Sequence, residues 1–274
     1  MRNFRELLEG KWSEGKFISI GLDSELEKIP EAAQKEDTRS TIVAFNRAIV
    51  DATKDLVCAY KPNIAFYESH GDEGIAALRE TISYILDVAI EVPVIVDAKR
   101  GDIRHTNEQY ALAVFDHLRA DALTVQPYAG SESLRPFLDR KEKGVIVWAR
   151  SSNEGAGEFQ DLSVDGEPLY RVVARHVAQS WNGNGNCGVV VGGTYPKELA
   201  EVRKIVGDIP ILIPGIGAQE GSIEKILHNG LDSRGRGLII NASRSIIFAS
   251  PSNDFATAAR QKAEELHDAI KKVV

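Results

Sequence analysis

A chain of 274 residues with 43% hydrophobic and 27% charged side chains can bury one large core and falls among ordinary globular proteins. Its 33 Lys plus Arg against 40 Asp plus Glu leave a formal charge of −7, which argues against a general affinity for nucleic acid or for an anionic membrane surface. Any anionic ligand must then be held by a few placed groups.

Read in chain order, the segment 2–14 patterns as a helix that precedes the first strand and could plug the bottom of a barrel. Eight short, nearly continuous apolar runs follow: FISIGLD (17–23), VCAYKP (57–62), VPVIVDAK (92–99), ALTVQP (122–127), GVIVWAR (144–150), CGVVVGG (187–193), IPILIPG (209–215) and GLIINAS (237–243). Such runs are expected of parallel strands buried on both faces. Between and after them lie amphipathic stretches near 40–55, 72–88, 104–118, 131–140, 167–181, 196–206, 220–229 and 253–272, with apolar residues at helical spacing, as in Ile42, Phe45, Ile49 and Val50. Eight strand and helix pairs of this size predict an α/β fold, a single (β/α)8 TIM barrel domain over 1–274 with an extra N-terminal helix. An open doubly wound sheet is the alternative, weakened because no strand leads into a Gly-x-Gly-x-x-Gly turn. The polar stretch NEGAGEFQDLSVDGEP after the fifth run has the length of a functional lid loop.

Cys58 and Cys187 lie in apolar runs and read as buried thiols in a reducing compartment. With no apolar stretch long enough for a membrane span, and none of signal-peptide length near the N-terminus, a cytoplasmic protein is expected.

Barrel enzymes gather their chemistry at the C-terminal ends of the strands. Here those ends carry Asp23, then Lys61 and Asn63, then Asp97, Lys99 and Asp102, then Thr124 and Gln126, then Arg150 to Asn153, and finally Ser243 and Arg244. The densest cluster is DAKRGDI, 97–103, in which period-two alternation turns Asp97 and Lys99 to one face, while Asp102 opens the next helix beyond Gly101. Taken singly, an Asp at a helix start is a common N-cap and a Lys at a strand end is commonly solvated. Several ionisable groups crowded at strand ends favour function. A second signal is PGIGAQEGS after the seventh run, where Gly215 and Gly217 allow backbone N–H groups to approach an anion and Gln219 precedes a helix N-terminus. With Arg244 on the neighbouring loop, this favours a phosphorylated small molecule.

These residues carry a resemblance. GLD, YKPN, DAKRGDI, SSN, VGGT, PGIGAQ and NASR occur in the order found in the orotidine 5'-phosphate decarboxylases, over essentially the whole barrel, and the chain resembles the subgroup with the Asp-Ala-Lys-Arg-Gly-Asp-Ile segment. The resemblance implies decarboxylation of orotidine 5'-phosphate to UMP, with no metal or organic cofactor and in a homodimer. It implies that Lys61, Asp97, Lys99 and Asp102 form a charged network in which Lys99 protonates C6, and that Asp102 reaches the neighbouring subunit's site beside Ile103 and Thr106. Asp23 would bind a ribose hydroxyl and Ser152 the pyrimidine, while Gln219 and Arg244 would grip the phosphate. Asn63, Thr124 and Gly217 complete the expected substrate-binding set.

Two rivals differ in testable ways. A sugar-phosphate decarboxylase or aldolase of the same superfamily would use magnesium, but Lys61 stands where such relatives place a carboxylate ligand, and an ammonium there would repel the ion. A non-catalytic nucleotide binder would have little reason to collect carboxylates beside an anionic ligand.

Overall fold

The computed structural model describes residues 2–216 and 220–274, and Gly217 and Gln219 of the expected phosphate site lie outside the described residues. The eight apolar runs all form strands, here named β1 (Ile18–Gly21), β2 (Val57–Lys61), β3 (Ile95–Arg100), β4 (Ala122–Val125), β5 (Gly144–Arg150), β6 (Cys187–Val191), β7 (Ile211–Ile213) and β8 (Leu238–Ala242). They pair in parallel in the order β2-β1-β8-β7-β6-β5-β4-β3. The ring closes between β2 and β3 through parallel bridges at Tyr60 with Val94 and Asn63 with Asp97. Backbone bonds from Tyr60 N to Pro93 O and from Asp97 N to Pro62 O carry that closure. The expected (β/α)8 barrel is therefore the observed fold.

Helices α1 (Phe4–Ser13), α2 (Thr38–Thr53), α3 (Ala65–Glu68), α4 (Gly71–Val88), α5 (Arg104–Ala111), α6 (Gly130–Leu138), α7 (Gly157–Gln160), α8 (Leu169–His176), α9 (Pro196–Val206), α10 (Glu220–Gly230), α11 (Arg244–Ile247) and α12 (Phe255–Lys271) follow in chain order. Local chemistry starts several of them. Asp37 accepts from Ser40 N at 2.7 Å at the head of α2, and Asn3 accepts from Glu6 N at 3.2 Å at the head of α1, each satisfying an otherwise orphaned donor. The last turns after α5 and α8 widen into π-helical geometry over Leu112–His117 and Val177–Trp181.

The N-terminal helix does plug the barrel bottom. Phe4, Leu8 and Trp12 recur at intervals of four and are all buried on its inner face. Phe4 N bonds Glu142 O, and Trp12 Nε1 donates to Leu238 O at 2.8 Å at the start of β8. Gly144, the first residue of β5, is required by this docking: a Cβ there would fall 2.2 Å from the Phe4 ring.

The stretch after β5 differs from the loop expected of it. It holds a 3-10 turn at Glu154–Ala156, then α7, then an antiparallel pair of Ser163–Val164 with Glu167–Pro168. The pair turns on Asp165 and Gly166, at φ of 50° and 87°, as a two-residue hairpin turn requires.

Candidate active site

The C-terminal ends of the strands enclose a cavity of about 460 Å³ lined by Asp23, Lys61, Asn63, Asp97, Pro214 to Ile216, Asn241 and Ser243 to Ser245. Asp97 sits against its inner wall, 8% exposed, and its carboxylate has three donors. Lys61 Nζ approaches Oδ2 at 3.0 Å, while Lys99 Nζ at 2.7 Å and Thr124 Oγ1 at 2.8 Å both donate to Oδ1. Burial pushes the Asp97 carboxyl toward neutrality, but the two ammonium groups outweigh it and hold the group well below the usual carboxylate range. Lys61 is buried too. Desolvation pulls its pKa down, and Asp97 and Asp23 together more than restore it, so the net shift is upward.

Lys99 reaches this position by an interruption of the strand rather than by simple alternation. Val96 pairs with Leu123 but Arg100 pairs with Val125, so β3 advances four residues while β4 advances two. Within the bulge Lys99 has φ of 46°, in the left-handed region that a residue with a Cβ rarely enters. The N–H groups of Ala98 and Lys99, displaced from the ladder, both donate to Thr124 Oγ1 at 3.0 Å. Thr124 was expected to bind substrate, yet it is 1% exposed and its hydroxyl is engaged within the protein. The Lys99 ammonium also lies 5.8 Å from the centre of the Trp148 ring, so that side chain borders the site.

Asp23 and Asn63 line the cavity near this group. Among the described residues Asp23 Oδ1 is buried without a hydrogen-bond partner, as a carboxylate intended for a ligand hydroxyl would be. Asn241, which the strand-end reading passed over, is buried at the cavity wall, where its Oδ1 accepts from Ser19 Oγ at 3.2 Å. An amide inside the run GLIINAS is the signal that could have marked it. Arg244 is exposed at the first turn of α11 and lines the same cavity.

Ser152 is exposed after β5 and backs onto Gly192, where a Cβ would fall 2.8 Å from the Ser152 main chain. Arg150 does not line the cavity. It is buried over the Tyr195 ring at 4.4 Å and bonds Asp161 at 3.2 Å, tying down the segment that follows β5.

Asp102 stands outside the network of its own chain. It is exposed, its Oδ1 accepts from Ile103 N at 2.6 Å, and its main chain is pinned by Asn107, whose Nδ2 donates to Asp102 O at 2.8 Å and to Ser133 O at 2.7 Å. Ile103 beside it is 66% exposed, and Thr106 is half-buried one turn on.

The model of the orotidine 5'-phosphate decarboxylase / HUMPS family matches residues 19–261. An orotidine 5'-phosphate decarboxylase of Cellvibrio japonicus is 45% identical over 269 residues, covering 98% of both chains. Among solved structures, the OMP decarboxylase of Leishmania donovani superposes with a TM-score of 0.85 at 38% identity, over 99% of this chain and 100% of that one. The UMP synthase of the same organism gives a TM-score of 0.88 at 38% identity, and there this chain spans 57% of the longer protein's length. The likeness runs along the whole barrel that carries the Lys61, Asp97 and Lys99 cluster, and the chain belongs to the orotidine 5'-phosphate decarboxylase / HUMPS family.

Proposed function

We propose that this chain converts orotidine 5'-phosphate to UMP and CO2, the last step of de novo pyrimidine nucleotide synthesis, with Lys99 as proton donor and without metal or organic cofactor. The observation that carries the reading is the Asp97 carboxylate held between two ammonium groups at the wall of a cavity that Arg244 also lines. Two lysines and one carboxylate leave that triad with a net positive charge, which favours an anionic substrate.

In the reaction the bond from C6 to the carboxylate breaks, CO2 leaves, and the electron pair stays on C6. No adjacent group of the ring takes up that charge, so a fixed ammonium must stabilise it. The Lys99 Nζ proton then passes to C6, giving UMP, and the neutral amine regains a proton from solvent. Asp97 would face the departing carboxylate, and two unit charges about 4 Å apart interact by roughly 4 kcal/mol at an effective dielectric near 20. Its three donors offset part of that repulsion, so its steadier role is to orient Lys99.

Arg244, together with Gln219 and the backbone at Gly217, would grip the phosphate, Asp23 and Asn63 the ribose, and Ser152 the pyrimidine. Such remote contacts supply binding energy that can be used to desolvate the reacting carbon. The exposure of Asp102 and Ile103 supports a homodimer in which this segment, with Thr106, completes the partner's site. No described helix is long and apolar enough to cross a membrane, and both cysteines are free and buried, which supports a cytoplasmic enzyme.

Magnesium-dependent chemistry finds little purchase on Asp97, whose oxygens are already taken by Lys61, Lys99 and Thr124. The test is the fall in orotate absorbance when the protein meets orotidine 5'-phosphate in EDTA. Turnover is expected, and its absence would overturn the proposal. Mixed Lys99→Ala and Asp102→Ala proteins should regain activity on exchanging subunits if Asp102 crosses the interface.

A further inference from the structure

We infer that Thr124 is a positioning residue for Lys99, acting through the β3 bulge rather than through substrate; this rests on the decarboxylase reading above. The bulge exposes two consecutive N–H groups, of Ala98 and Lys99, that the parallel ladder no longer satisfies. Thr124 sits between the two β4 residues that keep their register, Leu123 and Val125, and so directly opposite the extra residues. Its Oγ1 accepts from both N–H groups at 3.0 Å.

A hydroxyl has two acceptor sites and one proton. With both acceptor sites filled by backbone donors, the proton has one direction left, and there it meets Asp97 Oδ1 at 2.8 Å. That same oxygen receives Lys99 Nζ at 2.7 Å. One buried hydroxyl therefore fixes both ends of the proton donor: the left-handed backbone of Lys99, at φ of 46°, and the carboxylate that aims its ammonium. Nothing remains of its hydrogen-bonding capacity for a ligand.

Valine matches threonine in shape and supplies none of these three bonds. In Thr124→Val two part-buried N–H groups lose their acceptor, and Lys99 loses what holds it in a conformation disfavoured for a residue with a Cβ. A small displacement of a reacting group is enough to lower turnover by about 100-fold. Because the change acts on the chemical step, kcat should fall by about that factor while KM and the UMP dissociation constant stay within about threefold. Thr124→Ser, which keeps the hydroxyl, should restore kcat to within about fivefold of the parent.

The measurement is kcat, KM and UMP affinity for the parent, Thr124→Val and Thr124→Ser, with urea unfolding of each. A parent enzyme that turns over beside a folded Thr124→Val of unchanged kcat would overturn the inference and leave the decarboxylase reading standing. Weakened UMP binding at constant kcat would overturn it in favour of direct ligand contact. Should Thr124→Val fail to fold, Thr124→Cys, with its weaker donor and acceptor, takes its place: a kcat lowered at least about tenfold with UMP binding retained supports the inference, and parental kcat overturns it. No turnover by the parent would instead sink the decarboxylase reading itself.

Discussion

The two ends of the barrel are built on opposite terms. At the N-terminal end, the buried Arg203 donates to Gly230 O at 2.6 Å, to Gly207 O and Ile209 O at 2.7 Å and to Gly237 O at 2.8 Å, so the two connections that lead into β7 and β8 converge on one guanidinium. Asp121 there takes the Arg2 guanidinium at 2.8 Å and the Val94 N–H at 2.9 Å. Asn186 Nδ2 lies 3.0 to 3.2 Å from the carbonyls of Leu138, Arg140 and Lys143, although its own Oδ1 lacks a partner among the described residues. At the C-terminal end, Asp23 has a buried oxygen without a partner among the described residues, Lys99 is held in a disfavoured backbone conformation, and like charges sit within one small cluster. Asn186 Oδ1 apart, these floor groups are satisfied within the protein, whereas the mouth is kept ready for a ligand. The contrast locates stability at the floor and chemistry at the mouth, as barrel enzymes in general divide them.

The largest expected effect breaks function at the mouth and leaves the floor alone. Lys99→Ala should lower decarboxylation by at least about 10⁴-fold, since one side chain supplies both the charge that stabilises C6 and the proton that quenches it. Its side chain is 37% exposed, so the urea midpoint should barely move. Substantial activity in that variant, followed by orotate absorbance, would mean the proton comes from elsewhere. Arg203→Ala is the converse. Four carbonyls would lose their donor, and a cost of roughly 3 to 5 kcal/mol is expected in urea unfolding, with kcat of the folded enzyme unchanged. Loss of kcat in the folded variant would show that the two ends are coupled.

The same division marks what the sequence reading could reach. All eight strands were legible because strands buried on both faces are runs of apolar residues, and CGVVVGG or IPILIPG admits little else. The charged cluster was legible because Asp97 and Lys99 share one short segment. The bulge that shapes them was not, since it depends on a hydroxyl 25 positions further on, and alternation along β3 alone predicts an unbroken strand. Arg203 was equally hidden: a cation in the last turn of α9 reads as solvated until Gly207, Gly230 and Gly237 are seen to fold over it. The hairpin after β5 was signalled by Asp165 and Gly166 but read as open loop. Asp102, Ile103 and Thr106 owe their expected role to resemblance, because a partner's surface leaves no periodicity in the chain.

A smaller effect sharpens the comparison, because the mouth also stabilises while Asp97 keeps its charge between the two ammonium groups. Asp97 ionises well below the usual carboxylate range in the folded state, and a depressed carboxyl contributes fully above its unfolded value of about 3.9. That contribution is lost as pH falls through the unfolded value toward the folded one. Asp97→Asn leaves Lys61 buried beside an amide, and a deficit of about 3 kcal/mol near neutral pH is expected. The gap from the parent should narrow as urea unfolding is repeated below about pH 4. A gap that stays constant in acid would mean that the charge of Asp97 contributes nothing to stability.

The smallest effect asks whether the floor can be strained without the mouth responding. Gly144→Ala places a methyl against the Phe4 ring, and either α1 must lift or the ring must turn away. Overpacking of this kind costs about 1 to 2 kcal/mol once the neighbours relax. Phe4 caps the start of β5, whereas Ser152 follows its far end, with Trp148 and Arg150 between. Strands within a close-packed barrel resist sliding along their axes, because every parallel neighbour fixes their register. The strain should therefore appear in the urea midpoint and not in kcat or KM, and Phe4→Leu in the same background should recover part of the loss by making room for the methyl. A change in KM with an unchanged midpoint would show the opposite, that β5 transmits a push at its foot to the serine at its head.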